Sequence, residues 1–134
     1  MTRASGTFEV KLTPQLLADT AADAMLGRLS IDKRFHGDLD AASKGEMLSA
    51  GTAVQGSAGY VAIERVSGML HGREGSFVLQ HNATMTRGAP ALNIIVVPDS
   101  GTGELEGLSG QMSINIVDGR HFYEFEYSLP ADAE

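Results

Sequence analysis

Two short runs on either side of Asp118-Gly119 constrain this chain more than any other feature. On one side Met112, Ile114 and Ile116 alternate with Gln111, Ser113 and Asn115; on the other Tyr123, Phe125, Tyr127 and Leu129 alternate with Glu124, Glu126 and Ser128. A period of two puts every second side chain on the same sheet face, so both runs read as strands with one apolar side. Asp-Gly is the strongest short signal for a two-residue hairpin turn, which makes the pair antiparallel.

The same pattern recurs upstream. Phe8, Val10 and Leu12 alternate with Glu9, Lys11 and Thr13, and Leu29, Ile31 and Phe35 share a face opposed by Ser30, Asp32, Arg34 and His36. Further strands are read at residues 38–51, 60–70, 75–86 and 91–97, the last stopped by Pro98. Thr13-Pro14 reads as a helix cap followed by a first-turn proline, leading into an irregular loop over residues 15–25. Sixteen glycines against four prolines in 134 residues fit many turns and little helix, under about 15%. No helical segments alternate with the strands, so a parallel sheet has no crossovers. The expected fold is all-β: one domain over residues 1–134, a closed antiparallel meander barrel of about eight strands, with a sandwich as the alternative.

The formal net charge is −7, and of the ten Lys and Arg residues only Lys33-Arg34 are adjacent. Phosphate backbones require clustered cations, so nucleic acid is excluded as a partner. No apolar run approaches the ~20 residues of a membrane-spanning helix. The first residues lead into a strand pattern without an apolar signal core, which predicts a cytoplasmic protein and no membrane partner. There is no cysteine, hence no disulfide framework and no thiolate. Neither a Gly-x-Ser-x-Gly elbow nor a His-Glu-x-x-His pair occurs, and His36, His71, His81 and His121 lack ligand spacing. No metal and no cofactor are expected.

Between Ser100 and Gln111 stands Gly101-Thr102-Gly103-Glu104-Leu105-Glu106-Gly107-Leu108-Ser109-Gly110. Glu106 occupies the third-glycine position of a dinucleotide fingerprint, and no Gly-Lys-Ser/Thr follows, so the run is not a phosphate loop. It resembles the strand-connecting motif of allene oxide cyclase and dirigent barrels. Ile63-Glu64-Arg65-Val66, Gly75-Ser76-Phe77-Val78-Leu79-Gln80-His81, and Val96-Val97-Pro98 through Gly110 make residues 5–129 similar to a bacterial domain-of-unknown-function family, number 3224. These resemblances imply a closed barrel. They also imply cofactor-free isomerase or cyclase chemistry, in which a dry pocket shapes a reactive substrate and one or two polar groups guide a proton. The catalytic acids of allene oxide cyclases lie outside the matching motif, so no residue role is carried over and the catalytic residues are unassigned.

The hairpin between residues 60 and 86 supplies the candidate site. A three-residue loop Gly72-Arg73-Glu74 pairs Met69 with Phe77, Ser67 with Leu79, and Arg65 with His81, on the face that carries Val61, Ile63, Ala83 and Met85. Arg65 and His81 then stand together on an apolar inner face, where Arg65 would bind a carboxylate or enolate oxygen and His81 would move a proton. A one-residue shift instead pairs Glu64 with His81 and Arg65 with Gln80, and either arrangement also serves as structural hydrogen bonding. Tyr123 and Tyr127 share the inner face with Met112 and Ile114 and complete the ligand-binding candidates. The expected ligand is small and apolar or acidic; a filled barrel acting as a structural or interaction module is the competing reading. Ala91-Leu92-Asn93-Ile94-Ile95-Val96-Val97 is apolar on both faces, which predicts a homo-oligomer through that strand, with cover by a loop such as residues 14–25 as the alternative.

Overall fold

The computed structural model describes residues 1–17 and 25–130. Eight strands run in chain order: β1 (Thr2–Gln15), β2 (Leu26–Gly37), β3 (Leu39–Gly51), β4 (Ala58–Leu70), β5 (Arg73–Thr86), β6 (Ala89–Val96), β7 (Ser109–Val117) and β8 (Arg120–Ser128). Each pairs antiparallel with the next, and β8 pairs with β1, so the meander closes on itself. The expected barrel is thus observed. Its only helical turn among the described residues is the 3-10 turn Gly103–Leu105. None of the described helical structure is long and apolar enough to cross a membrane.

Two expectations are corrected. Thr13 and Pro14 do not cap a helix but continue β1, opposite Ser30 and Leu29 of β2. Proline is tolerated there because β8 pairs with β1 only from Thr2 to Phe8, leaving that flank of Pro14 free of a partner. Of the loop expected at residues 15–25, residues 18–24 lie outside the described residues. The second correction concerns the β4–β5 register. His71-Gly72 forms the whole turn, with φ of 48° and 78°, and Leu70 pairs with Arg73. Positive φ at both central positions is the backbone of a twist-compatible two-residue hairpin, and glycine takes the second position without strain. Neither expected register occurs: Ala62 faces His81, and Arg65 faces Val78. Glu64 therefore turns inward and Arg65 outward.

The two ends of the barrel differ. One end carries the His71-Gly72 turn, and residues 97–108 fold over it. There Leu39, Leu70, Phe77, Val96, Phe125 and Tyr127 are joined by Leu105 and Leu108 from the glycine-rich link in one closed core. At the opposite end, which carries the Arg87-Gly88 and Asp118-Gly119 turns, the inward alternation continues but the filling stops. Leu12, Met85, Leu92 and Ile116 are between 42 and 61% exposed. The wall is also discontinuous here: β6 pairs with β5 along its length but with β7 only at Ile94–Met112 and Ile95–Gln111.

Candidate functional site

Where the packed half meets the open half, four strands project polar side chains inward. Alternation along β2 aims Lys33 inward between Ile31 and Phe35; β3 contributes Ser43, β4 Glu64 and β5 His81, all buried. Glu64 is at the centre and fully buried. Its Oε2 accepts from Lys33 Nζ at 2.9 Å and from His81 Nε2 at 2.5 Å, while Oε1 accepts from the Ser43 hydroxyl at 2.7 Å. Gly45, cross-strand from Glu64, makes room for this arrangement, because a Cβ there would lie 2.6 Å from Glu64 Cα and 2.0 Å from the Ile63 carbonyl oxygen. The Lys33 ammonium also lies 4.8 Å from the centre of the Phe8 ring and 5.4 Å from that of Phe35. Aromatic faces are the apolar surface best suited to a cation.

Burial alone would push the Glu64 carboxyl up. The His81 hydrogen bond, the Lys33 charge and the Ser43 hydroxyl outweigh it and hold the pKa at about 2 instead of the ordinary 4.5. Glu64 is thus an ionised carboxylate, neutralised by Lys33. Since Nε2 of His81 meets this carboxylate, Nε2 carries the proton of that hydrogen bond. The Nδ1 atom of His81 is buried and has no hydrogen-bond partner among the described residues. Tyr60, its ring centre 6.2 Å from that of His81, has its hydroxyl pKa raised by burial and then by the Glu64 charge, so it remains a hydrogen-bond donor.

Above this cluster lies a cavity of about 550 Å³ at the open mouth, lined by Met47, Tyr60, Ala83, Met85, Leu92 and Ile116 among others. Tyr60 and Ala83 are cross-strand partners, and the next inward pair is Ala62 and His81. His81 therefore stands one inward step below the cavity lining.

The residues expected from sequence divide accordingly. Glu64 and His81 are in contact at the centre of the cluster, as a diagonal pair rather than as direct cross-strand partners. Arg65 and Gln80 face outward; Arg65 donates to the Ser76 hydroxyl at 3.3 Å, and Gln80 lines a groove on the outer wall with Val61 and Ile63, to which His81 also contributes. The Arg65–His81 pair is overturned, because a two-residue turn puts them on opposite faces. Tyr123 and Tyr127 do face inward, but in the packed end. The Tyr123 hydroxyl accepts from Leu39 N–H and donates to the His36 carbonyl, both at 2.9 Å, and the Tyr127 hydroxyl meets His71 Nδ1 at 2.5 Å. Lys33 was missed altogether, although its place between Ile31 and Phe35 put a cation on an apolar face. Among the described residues no three His, Asp or Glu side chains converge on a metal position.

A crystal structure of a protein of unknown function from Shewanella oneidensis MR-1, assigned to the DUF3224 family, superposes with a TM-score of 0.92. The two sequences are 56% identical over 96% of this chain and 97% of that one. No curated protein matches the chain. The model of the family described as "protein of unknown function (DUF3224)" matches residues 4–127, and the chain belongs to that family.

Proposed function

We propose that the barrel binds a small apolar molecule in its open mouth, with the polar end of that molecule directed at the Glu64–His81 pair. One observation carries the reading: an apolar cavity of about 550 Å³, rimmed by inward-facing Met85, Leu92 and Ile116, has its Tyr60 and Ala83 wall one inward step along β4 and β5 from a buried ionised cluster. Its size falls within the ~300–1,000 Å³ of small-molecule sites, and an apolar wall with a few convergent polar groups is their usual chemistry. An oriented imidazole backed by a carboxylate can take a proton from one atom of a bound molecule and return it to another, with no cofactor. That is the chemistry of an isomerase or cyclase. The filled end of the barrel is what a purely structural module would build, but such a module has no use for four apolar rim residues left facing water.

A neutral, environment-sensitive dye such as Nile red tests the reading. Saturable one-to-one binding is expected for the wild type, and Ala83→Trp, which fills the cavity, should abolish it while the far-ultraviolet circular dichroism stays that of a barrel. A wild type that shows no saturable binding removes the proposal. Proton transfer has its own readout: solvent deuterium should enter an acidic carbon of a bound ketone, at a rate that collapses in His81→Phe.

A further inference from the structure

We infer that Tyr60 anchors the polar end of the bound molecule, and that this molecule is uncharged and carries a carbonyl oxygen, as a ketone, aldehyde or ester; this rests on the binding reading above. The first ground is an unengaged hydroxyl. Of the chain's three tyrosines, two have their hydroxyls tied up in the packed end, Tyr123 by Leu39 N–H and the His36 carbonyl, and Tyr127 by His71. Tyr60 instead lines the mouth cavity, and its hydroxyl has no hydrogen-bond partner among the described residues. Nor is it sealed: the one fully buried side-chain polar atom without a partner there is His81 Nδ1. A half-buried hydroxyl on an apolar wall gains from any ligand that supplies its partner.

The second ground is the sign of that group. Burial, and then the Glu64 charge, raise the hydroxyl's pKa, so it keeps its proton. A phenol shares its oxygen lone pair with the ring and is a better donor than acceptor, so its complement is a carbonyl oxygen. Ser49, the cross-strand partner of Tyr60, and Thr84 are the other hydroxyls of the lining, both on short side chains close to the backbone.

The third ground is charge. No Lys, Arg, His, Asp or Glu among the described residues lines this cavity. Lys33, the one buried cation among them, is held by Glu64 at 2.9 Å, and Arg65 is on the outside of the wall. A ligand carboxylate would leave water with no cation to meet it, while the ionised Glu64 stands two inward positions further along β4. A neutral carbonyl incurs neither cost, and Met47, Met85, Leu92 and Ile116 take the apolar body behind it.

The test uses three naphthalenes of similar shape, 2-acetylnaphthalene, 2-isopropenylnaphthalene and 2-naphthoate, each displacing Nile red at neutral pH from the wild type and from Tyr60→Phe. The variant should bind the ketone about fivefold more weakly, the worth of one neutral hydrogen bond, and the alkene as before; naphthoate should be the weakest ligand of the wild type. The infrared band of the ketone, carbon-13 labelled at its carbonyl, should lie lower on the wild type than in hexane, a readout that stands even where the variant fails to fold. Equal losses for ketone and alkene, a carbonyl band at its hexane position on the wild type, or naphthoate binding tightest would each overturn the inference, while Nile red binding leaves the cavity reading standing. Absence of Nile red binding would remove both.

Discussion

Acid is the perturbation that speaks most directly to the central carboxylate. Glu64 has an ordinary pKa of 4.5 and a folded-state value of about 2. The difference corresponds to about 3 kcal/mol of stability by linkage. The sign follows from which state binds the proton more weakly. The folded state holds Glu64 as the anion, so the contribution is complete above 4.5 and is lost as the pH falls from there through about 2. The groups that face it are Lys33 from β2, Ser43 from β3, Tyr60 from its own strand and His81 from β5. Urea unfolding from neutral pH down to about 2 should therefore show the wild type losing about 3 kcal/mol more than Glu64→Gln, which has no carboxylate to protonate. The exposed carboxylates are common to both proteins and cancel. Because removing Glu64 also frees His81 from its partner, the side-chain carboxyl carbon of Glu64 should be followed by carbon-13 NMR in the wild type. A Glu64 resonance that titrates near 4.5, or parallel stability curves, would refute the reasoning that its partners outweigh burial.

Three further outcomes are expected. Lys33→Met leaves Glu64 buried without its counter-charge and should cost about 3–5 kcal/mol at neutral pH, a loss that shrinks in acid as Glu64 is protonated; equal losses across the range would mean the ion pair contributes little. Gly45→Val drives a Cβ against the Ile63 carbonyl and the Glu64 backbone, so a lower melting temperature should come with a shifted His81 ring spectrum, whereas unchanged His81 signals would detach Gly45 from the site. For the homo-oligomer proposed through residues 91–97, Ile95 is the outward, half-buried residue while Ile94 is 1% exposed and faces the core; Ile95→Asp should lower the sedimenting mass, and a monomeric wild type would remove that proposal.

The barrel was legible because its strands are amphipathic with a period of two, and because Asp118-Gly119 fixes one hairpin beyond dispute. The site was half legible for a reason that comes down to one turn. His71-Gly72 carries the same glycine at the second central position as Asp118-Gly119, and both turns adopt positive φ at both residues. Reading the first as a three-residue loop put Arg65 and His81 on one face; the observed register moves the β4 partner of every β5 residue by three positions. An odd shift turns a strand over, which is why Val61, Ile63 and Arg65 point outward and Ala62, Glu64 and Val66 inward. Val61 and Ile63 misled because they are apolar and yet about half exposed on the exterior. The sequence signal against them was Glu64 itself, whose inward place makes sense only beside a cation, and Lys33 on the apolar face of β2 was that cation. Local periodicity cannot find such a partner, because the two residues are 31 positions apart and meet across β3.

The position of this cluster along the barrel axis bears on why a buried charge is kept at all. Replacing a buried ion pair by apolar side chains of similar volume is often neutral or stabilising, so stability alone gives weak reason for Lys33 and Glu64. The packed half, with Phe77 and Phe125 stacked at 5.7 Å, shows that this chain fills a barrel with rings and aliphatic groups where nothing else is asked of it. The polar layer comes where that filling ends and the cavity begins. Below it, the solid core excludes water and fixes the strands that carry Lys33, Ser43, Glu64 and His81. Above it, β4 and β5, which carry Glu64 and His81, continue into the wall of the open mouth at Tyr60 and Ala83. A cluster placed at the rim would be solvated and weak. At the junction, the ionised carboxylate keeps its strength while its imidazole lies one inward step from the cavity wall.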